Sequence, residues 1–195
     1  MLLRLPTALA LLVVAACGGT EAPVVTGAPL TSAERALFED GADFVADPEA
    51  LQGQWRRDWS SELDQRVRRS DVIAYVKVQT LRTDTDLDRR TTFRLILDEN
   101  RTIYGEYPTE LVLRSKEGQP GYGTLEGNER QLLNRDFVLF LKWELADGAI
   151  ERTPRWHLAP ASDQVIQRVE YLVERRHDVQ VRERGTVIVH EHAAE

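Results

Sequence analysis

DFVLFLKWEL, residues 136–145, decides how this chain folds. Phe137, Leu139, Leu141, Trp143 and Leu145 recur at every second position, the period of a β-strand. Val138 and Phe140 fill the alternate positions of its first half. That half is therefore apolar on both faces, and a strand with no polar face belongs in the middle of a sheet. Ala146-Asp147-Gly148-Ala149 follows as a hairpin turn of the Asp-Gly kind. The return strand is Ile150–Leu158, and Pro154, which has no N–H to donate, assigns it to a sheet edge.

Upstream, Val72, Ala74, Val76 and Val78 alternate with Ile73, Tyr75, Lys77 and Gln79 in a second strand. Residues 91–98 form a third, with Phe93, Leu95 and Leu97 on one face, and residues 110–115 a fourth. Before these strands the period is helical. Thr31-Ser32-Ala33-Glu34 has the form of a capping box opening a short helix that ends before Gly41. Asp47-Pro48 opens a longer one, Asp47 as cap and Pro48 at the first helical position. Along it Leu51, Trp55, Trp59, Leu63 and Val67 recur every four residues, an apolar stripe that packs on a core or, through its two tryptophans, lines a ligand groove. Its other faces mix Arg56, Arg57, Arg66 and Arg68 with Asp58, Glu62 and Asp64. After the sheet, Ser162-Asp163 caps a helix with Val165, Ile166, Val169, Leu172 and Val173 on one face, and Arg175 and Arg176 complement its C-terminal dipole. Residues 179–189 form a last strand or pair broken at Gly185. The expected fold class is α+β: a mostly antiparallel five- to six-stranded sheet or partly closed barrel, flanked by N-terminal amphipathic helices and one C-terminal helix.

The chain has 195 residues, 42% hydrophobic and 29% charged, with a formal net charge of -7. This is the balance of a globular body with a real core. Lys77, Lys116 and Lys142 are the only lysines, and no basic block occurs. That excludes a duplex nucleic-acid binder, whose affinity depends on clustered cations.

The amino terminus begins with one early positive charge, Arg4, and continues through an apolar run to Ala16 broken only by Pro6 and Thr7. This is the charged start and short hydrophobic middle of an export signal, too short for the about 20 apolar residues of a bilayer span. Val14-Ala15-Ala16-Cys17 closes it, and Cys17 is the only cysteine in the chain. The stretch resembles a bacterial lipobox. That resemblance implies cleavage after Ala16, lipid on the Cys17 sulfur and acylation of the new amino terminus. Gly18, in place of the aspartate linked to inner-membrane retention, implies the outer membrane, with the body facing the periplasm or the surface. Residues 1–16 are then a signal peptide and 17–30, rich in Gly, Pro and Thr, a lipidated cysteine and tether. Residues 31–69 form a helical segment, and 70–195 the sheet domain with its C-terminal helix. With the one sulfur lipidated, no disulfide forms and the core alone holds the fold.

The order of Ser70-Asp71-Val72-Ile73-Ala74-Tyr75-Val76-Lys77-Val78, two further strands, a glycine-bearing loop and Phe137-Val138-Leu139-Phe140-Leu141 resembles the small barrels of the oligonucleotide/oligosaccharide-binding type used in netrin-like and metalloprotease-inhibitor modules. The resemblance covers residues 70–158 and implies a fold. Those modules carry cysteines that this chain lacks, and no functional residue transfers.

Candidate chemistry is sparse. Asp84, Asp86 and Asp88 place three carboxylates on alternate residues of the first hairpin loop, a spacing that a hard cation uses. The loop lacks the glycine and glutamate of a calcium loop, and Arg89 and Arg90 oppose a cation, so a solvated hairpin tip is the favoured reading. His190 and His192 share a strand face near the end of the chain without the further ligands zinc needs. His157 and His177 stand alone. No phosphate loop, dinucleotide glycine motif, zinc-protease helix motif or nucleophile elbow occurs, and no cofactor is expected. Residues 116–135 carry four glycines, and Gly121, Tyr122 and Gly123 are the candidate binding contacts, with Tyr122 exposed among glycines. The expected function is that of a membrane-anchored envelope lipoprotein acting as a non-catalytic binding or assembly module. Its contacts are that loop and a sheet edge. Its partners are the membrane through the anchor and another envelope protein or cell-wall polymer. The alternative is an envelope hydrolase using a carboxylate pair, for which the sequence singles out no two residues.

Overall fold

The computed structural model describes residues 29–176. It is an α+β structure built on one six-stranded sheet curled into a half-barrel. In chain order the elements are α1 (Ser32–Leu37), β1 (Gly41–Ala42), a 3-10 turn (Pro48–Ala50), α2 (Gly53–Arg69), β2 (Val72–Thr85), β3 (Thr91–Tyr104), β4 (Val112–Lys116), α3 (Tyr122–Leu125), α4 (Glu129–Leu132), β5 (Asp136–Glu144) and β6 (Thr153–Pro160). A final helix, α5, covers residues 163–176. The strand order is β1-β6-β5-β2-β3-β4, antiparallel throughout except for the parallel β1–β6 pair.

β5 lies inside the sheet between β6 and β2, and Phe137 to Leu141 are all buried, as a strand apolar on both faces requires. β2 and β3 each run for 14 residues, well past the ends expected from alternation. Their pairing shifts register at Ile73/Ala74, Tyr75/Val76 and Val78/Thr80. The last shift changes which positions face inward, from Val76 and Val78 to Leu81, so the two-residue period breaks although the strand continues. Such bulges also tighten twist. The curl brings β6 back towards β4, although β5, β2 and β3 stand between them in the sheet: the Trp156 indole N–H donates to the Arg114 carbonyl at 3.2 Å.

β6 is not an edge strand. The two-residue β1 pairs with it at Gly41–His157 and Ala42–Leu158. Pro154 lies outside that pairing and faces only Trp143 of β5, so the missing donor disturbs no ladder on the outer side.

Both faces of the sheet are covered. On one, Ile73, Val138, Phe140 and Ala159 pack against Leu37 and Phe38 of the α1 region, Trp59, Leu63 and Val67 of α2, and Val165, Val169, Leu172 and Val173 of α5. On the concave face, Val72, Ala74, Val76, Leu95, Leu139 and Leu158 enclose a second core that Tyr122, Leu125 and Leu132 plug.

The α1 capping box is formed: the Thr31 hydroxyl accepts from the Glu34 N–H at 3.2 Å, and the Glu34 carboxylate accepts from the Thr31 N–H at 3.0 Å. The single long helix expected from Asp47 is instead two pieces. Asp47 caps the 3-10 turn, accepting from the N–H groups of Glu49 and Ala50. The chain then extends at Leu51 and Gln52 and restarts at Gly53, whose φ of 58° is the left-handed region glycine tolerates. This break takes Leu51 out of the helix, and Trp55, at the start of the stripe, is left 78% exposed. Among the described residues no helix is long and apolar enough to cross a membrane. The Cys17 lipobox, the strand expected over 179–189, and His177, His190 and His192 lie outside the described residues.

Candidate anion-binding groove

Of the three candidate loop residues, Gly121 and Tyr122 are buried. Tyr122 is 8% exposed, its ring 5.1 Å from that of Phe93 inside the concave core. Gly121 presses its backbone on the segment that leads into β1: its N–H donates to the Glu39 carbonyl at 3.0 Å, and an added Cβ would meet Glu39 O at 2.4 Å. Only Gly123 borders open space. The expectation of an exposed Tyr122 is thus overturned. The signal against it lay in Tyr122, Leu125 and Leu132, whose spacing gives two short helices a common apolar side.

At the β2–β3 hairpin, Asp84 pairs with Arg94 at 2.5 Å across the strands. Asp86 closes the turn, its carboxylate accepting from the Arg90 N–H at 2.8 Å. Asp84 belongs to β2, whereas Asp88 sits in the turn, so the three do not converge. Among the described residues no group of three or more His, Cys, Asp or Glu is placed to hold a metal ion.

The described carboxylate pair with the most unusual environment is Asp40 and Glu144. Arg155 joins them, donating from Nη1 to Asp40 Oδ2 at 2.5 Å and from Nε to Glu144 Oε2 at 2.7 Å, while Arg35 donates to Glu144 Oε1 at 2.8 Å. Asp40 holds a left-handed φ of 60°. Burial pushes its carboxyl up to about 6, against the Arg155 charge. Burial also raises Glu144, but the hydrogen bonds from Arg155 and Arg35 outweigh it and leave Glu144 below the usual range. Both side chains are 4% exposed. Every oxygen in the set faces an arginine or the Trp156 N–H, so the arrangement ties α1, the start of β1, β5 and β6 together. Behind it, His157 is buried, with Nε2 3.1 Å from Asp43 and Nδ1 3.9 Å from Glu39, without a hydrogen-bond partner for Nδ1 among the described residues. Burial holds its pKa below the ordinary value, so the ring is neutral and buried.

The open, chemically distinctive feature is elsewhere. α2 and α5 lie side by side, and a groove runs between them. Its first half, about 650 Å³, is lined by Arg56, Trp59 and Ser60 from α2 and by Gln164, Gln167, Arg168 and Tyr171 from α5. Its second half, about 770 Å³, is lined by Ser60, Ser61, Asp64 and Arg68 and by Arg168, Leu172, Arg175 and Arg176. Ser60 and Arg168 border both halves, so the two adjoin along the helix pair. From Arg56 to Arg68 it follows α2 for about 18 Å at 1.5 Å per residue.

Five arginines line this groove on a chain whose net charge is -7. Two are neutralised locally: Arg56 pairs with Glu49 at 2.8 Å, and Arg68 pairs with Asp64. Arg176 is committed to structure, donating to the carbonyls of Val67 at 2.6 Å and Ser70 at 2.9 Å and stacking on Tyr104. Arg168 and Arg175 have no carboxylate partner among the described residues. Instead both lie 5.6 Å from the centre of the Tyr171 ring, and Arg175 also donates to the Tyr171 hydroxyl at 3.2 Å. Positions 168, 171 and 175 share one helical face, so both guanidiniums gather at the same ring. Guanidinium edges of this kind take oxyanions in bidentate fashion. The serine hydroxyls and glutamine amides add neutral donors. No known family model, curated protein or solved structure matches the chain.

Proposed function

We propose that this protein is a lipid-anchored module of the bacterial cell envelope, in the outer membrane, that acts by binding an anionic ligand in the α2–α5 groove. The observation that carries the binding part is the Arg168–Tyr171–Arg175 arrangement, two guanidiniums without a carboxylate partner among the described residues, in an open channel. The Val14-Ala15-Ala16-Cys17 stretch behind a short apolar run supports the anchor. Two or three acyl chains at about 0.8 kcal/mol per buried methylene hold a protein at a bilayer firmly.

Two measurements test this reading. Cys17→Ser is expected to move the protein from the membrane to the soluble fraction; a variant that stays bound through washing removes the anchor from the proposal. Titration calorimetry of the detergent-solubilised lipidated protein with inositol hexakisphosphate, a generic polyanion, is expected to show salt-sensitive binding. Arg168→Ala/Arg175→Ala should abolish it. Equal binding by wild type and the double variant removes the groove from the proposal.

A further inference from the structure

The geometry points to the phosphate-bearing headgroups of the membrane that holds the anchor as the ligand of the groove. This inference rests on the anchored-module reading above. It begins with where the chain enters the structure. Thr31 and Glu34 cap α1, and the Glu34 carboxylate lies 3.6 Å from the Arg69 guanidinium, at the C-terminal end of α2. The neighbouring Arg68 borders the groove there, together with Arg175. The chain that leads back to Cys17 therefore enters beside one mouth of the cationic channel. Between Cys17 and Pro29 it has about twelve residues, a span of at most about 40 Å. The bilayer surface is consequently within reach of that mouth.

Charge then selects the orientation. The molecule as a whole is acidic, so an anionic leaflet repels most of its surface. The face carrying Arg168 and Arg175 is drawn towards such a leaflet, and the tether gives it a high local concentration of headgroups. The groove also has the mixed lining that a headgroup needs: guanidiniums for the phosphate, Ser60 and Ser61 for glycerol or headgroup oxygens, and Leu172 as an apolar contact. An acidic protein segment is the competing occupant. The anchor favours the headgroups, because the tether holds them within reach of the groove.

The test uses the one free thiol that lipidation of Cys17 makes possible. Ser61→Cys places a fluorophore at the groove, and Leu87→Cys places one at the fully exposed tip of the β2–β3 hairpin. Each lipidated protein is reconstituted into vesicles of phosphatidylcholine alone or with phosphatidylglycerol, both doped with a lipid quencher attached to the headgroup. Quenching at Ser61→Cys is expected to rise with phosphatidylglycerol and fall with salt, while Leu87→Cys changes little. Each guanidinium near an anionic leaflet is worth about fivefold in partitioning, so Arg168→Ala/Arg175→Ala should cut the surface-bound population about twenty-five-fold. Protein that floats with both vesicle types but shows no phosphatidylglycerol-dependent quenching at Ser61→Cys overturns the inference and leaves the anchor standing. A groove probe that responds to inorganic phosphate and not to the vesicles overturns it in favour of a free oxyanion. One that responds to an added acidic peptide and not to the vesicles overturns it in favour of a protein partner. Protein that does not float at all defeats the anchored reading itself.

Discussion

Gly121→Ala should be among the most damaging single-methyl additions in this protein. The new Cβ would lie 2.4 Å from Glu39 O, 2.5 Å from Asp40 C and 2.5 Å from Gly41 N, all backbone atoms that cannot rotate away. The φ of Gly121 is -75°, an ordinary value, so the effect is purely steric. To reach normal contact α3 must retreat by about 1 Å, given that carbon contacts relax only beyond about 3.4 Å. That movement stretches the Gly121 N–H to Glu39 O bond, now 3.0 Å, and the Ala42 N–H to Thr124 Oγ1 bond, now 2.9 Å. Two weakened hydrogen bonds at about 1 kcal/mol each, with about 1–3 kcal/mol of overpacking, give a loss of about 3–5 kcal/mol. At about 2–4 °C per kcal/mol for a chain of this size, the midpoint falls by roughly 10 °C. Gly123→Ala is the internal control. Its Cβ enters open space inside α3, where alanine favours the helix by up to about 1 kcal/mol. Thermal and urea unfolding followed by circular dichroism decide the matter. A Gly121→Ala variant melting within about 2 °C of wild type, or a Gly123→Ala variant losing as much as Gly121→Ala, refutes the close packing of α3 on β1.

Two further expectations concern the helices and the buried polar network. Trp59→Ala, which empties a site in the helix-layer core, should cost about 3–5 kcal/mol, whereas Trp55→Ala at an exposed position should change stability by less than about 0.5 kcal/mol; equal urea midpoints for the two variants would contradict the break at Gly53. Asp40, raised to about 6, stabilises the fold most below its ordinary value of 3.8, and that contribution is lost as pH rises through about 6. His157, lowered from 6.5 by burial, contributes above 6.5 and loses that contribution as pH falls. The two slopes oppose each other, so Asp40→Asn should make stability climb more steeply with pH between about 4 and 6 than in wild type, and His157→Gln should make it climb less. Urea midpoints across that range check both signs, and a change in the same direction for the two variants defeats the assignment.

What the sequence made legible follows a physical rule. β5 was readable because Phe137 to Leu141 satisfy both faces of a sheet at once, and the Thr31–Glu34 capping box because it is complete within four residues. Features that depend on a distant partner were not readable. The far halves of β2 and β3 lose their alternation at the Val78/Thr80 bulge, which only pairing reveals. Pro154 marked a strand without a full outer neighbour, but nothing in Gly41–Ala42 advertises a two-residue strand. Tyr122 among glycines looked like a surface contact because those glycines suggest a loose loop. Gly121 is in fact there for the opposite reason, a backbone approach too close for any side chain. The exposure of Tyr122 was misread because close packing and openness both favour glycine.

The groove was missed for a related reason, and the reason bears on how net charge is used. Read alone, α2 alternates acids and bases and looks like a solvated face, while Arg175 and Arg176 look like ordinary partners of a helix dipole. The two helices are about a hundred residues apart in the chain, and only their packing on the same sheet face brings Arg168 and Arg175 opposite Arg68. A formal charge of -7 sums over the whole surface, but a ligand in water feels charges within a Debye length, about 8 Å at physiological ionic strength. The lining of the second half of the groove holds four arginines and one acid, Asp64, which Arg68 already engages. On the proposed reading, the acidic remainder orients this local field rather than cancelling it, turning the groove face to an anionic surface. Net charge therefore bears on ligands that must cover much of the surface, such as a long duplex, and says little about those small enough to fit between two helices.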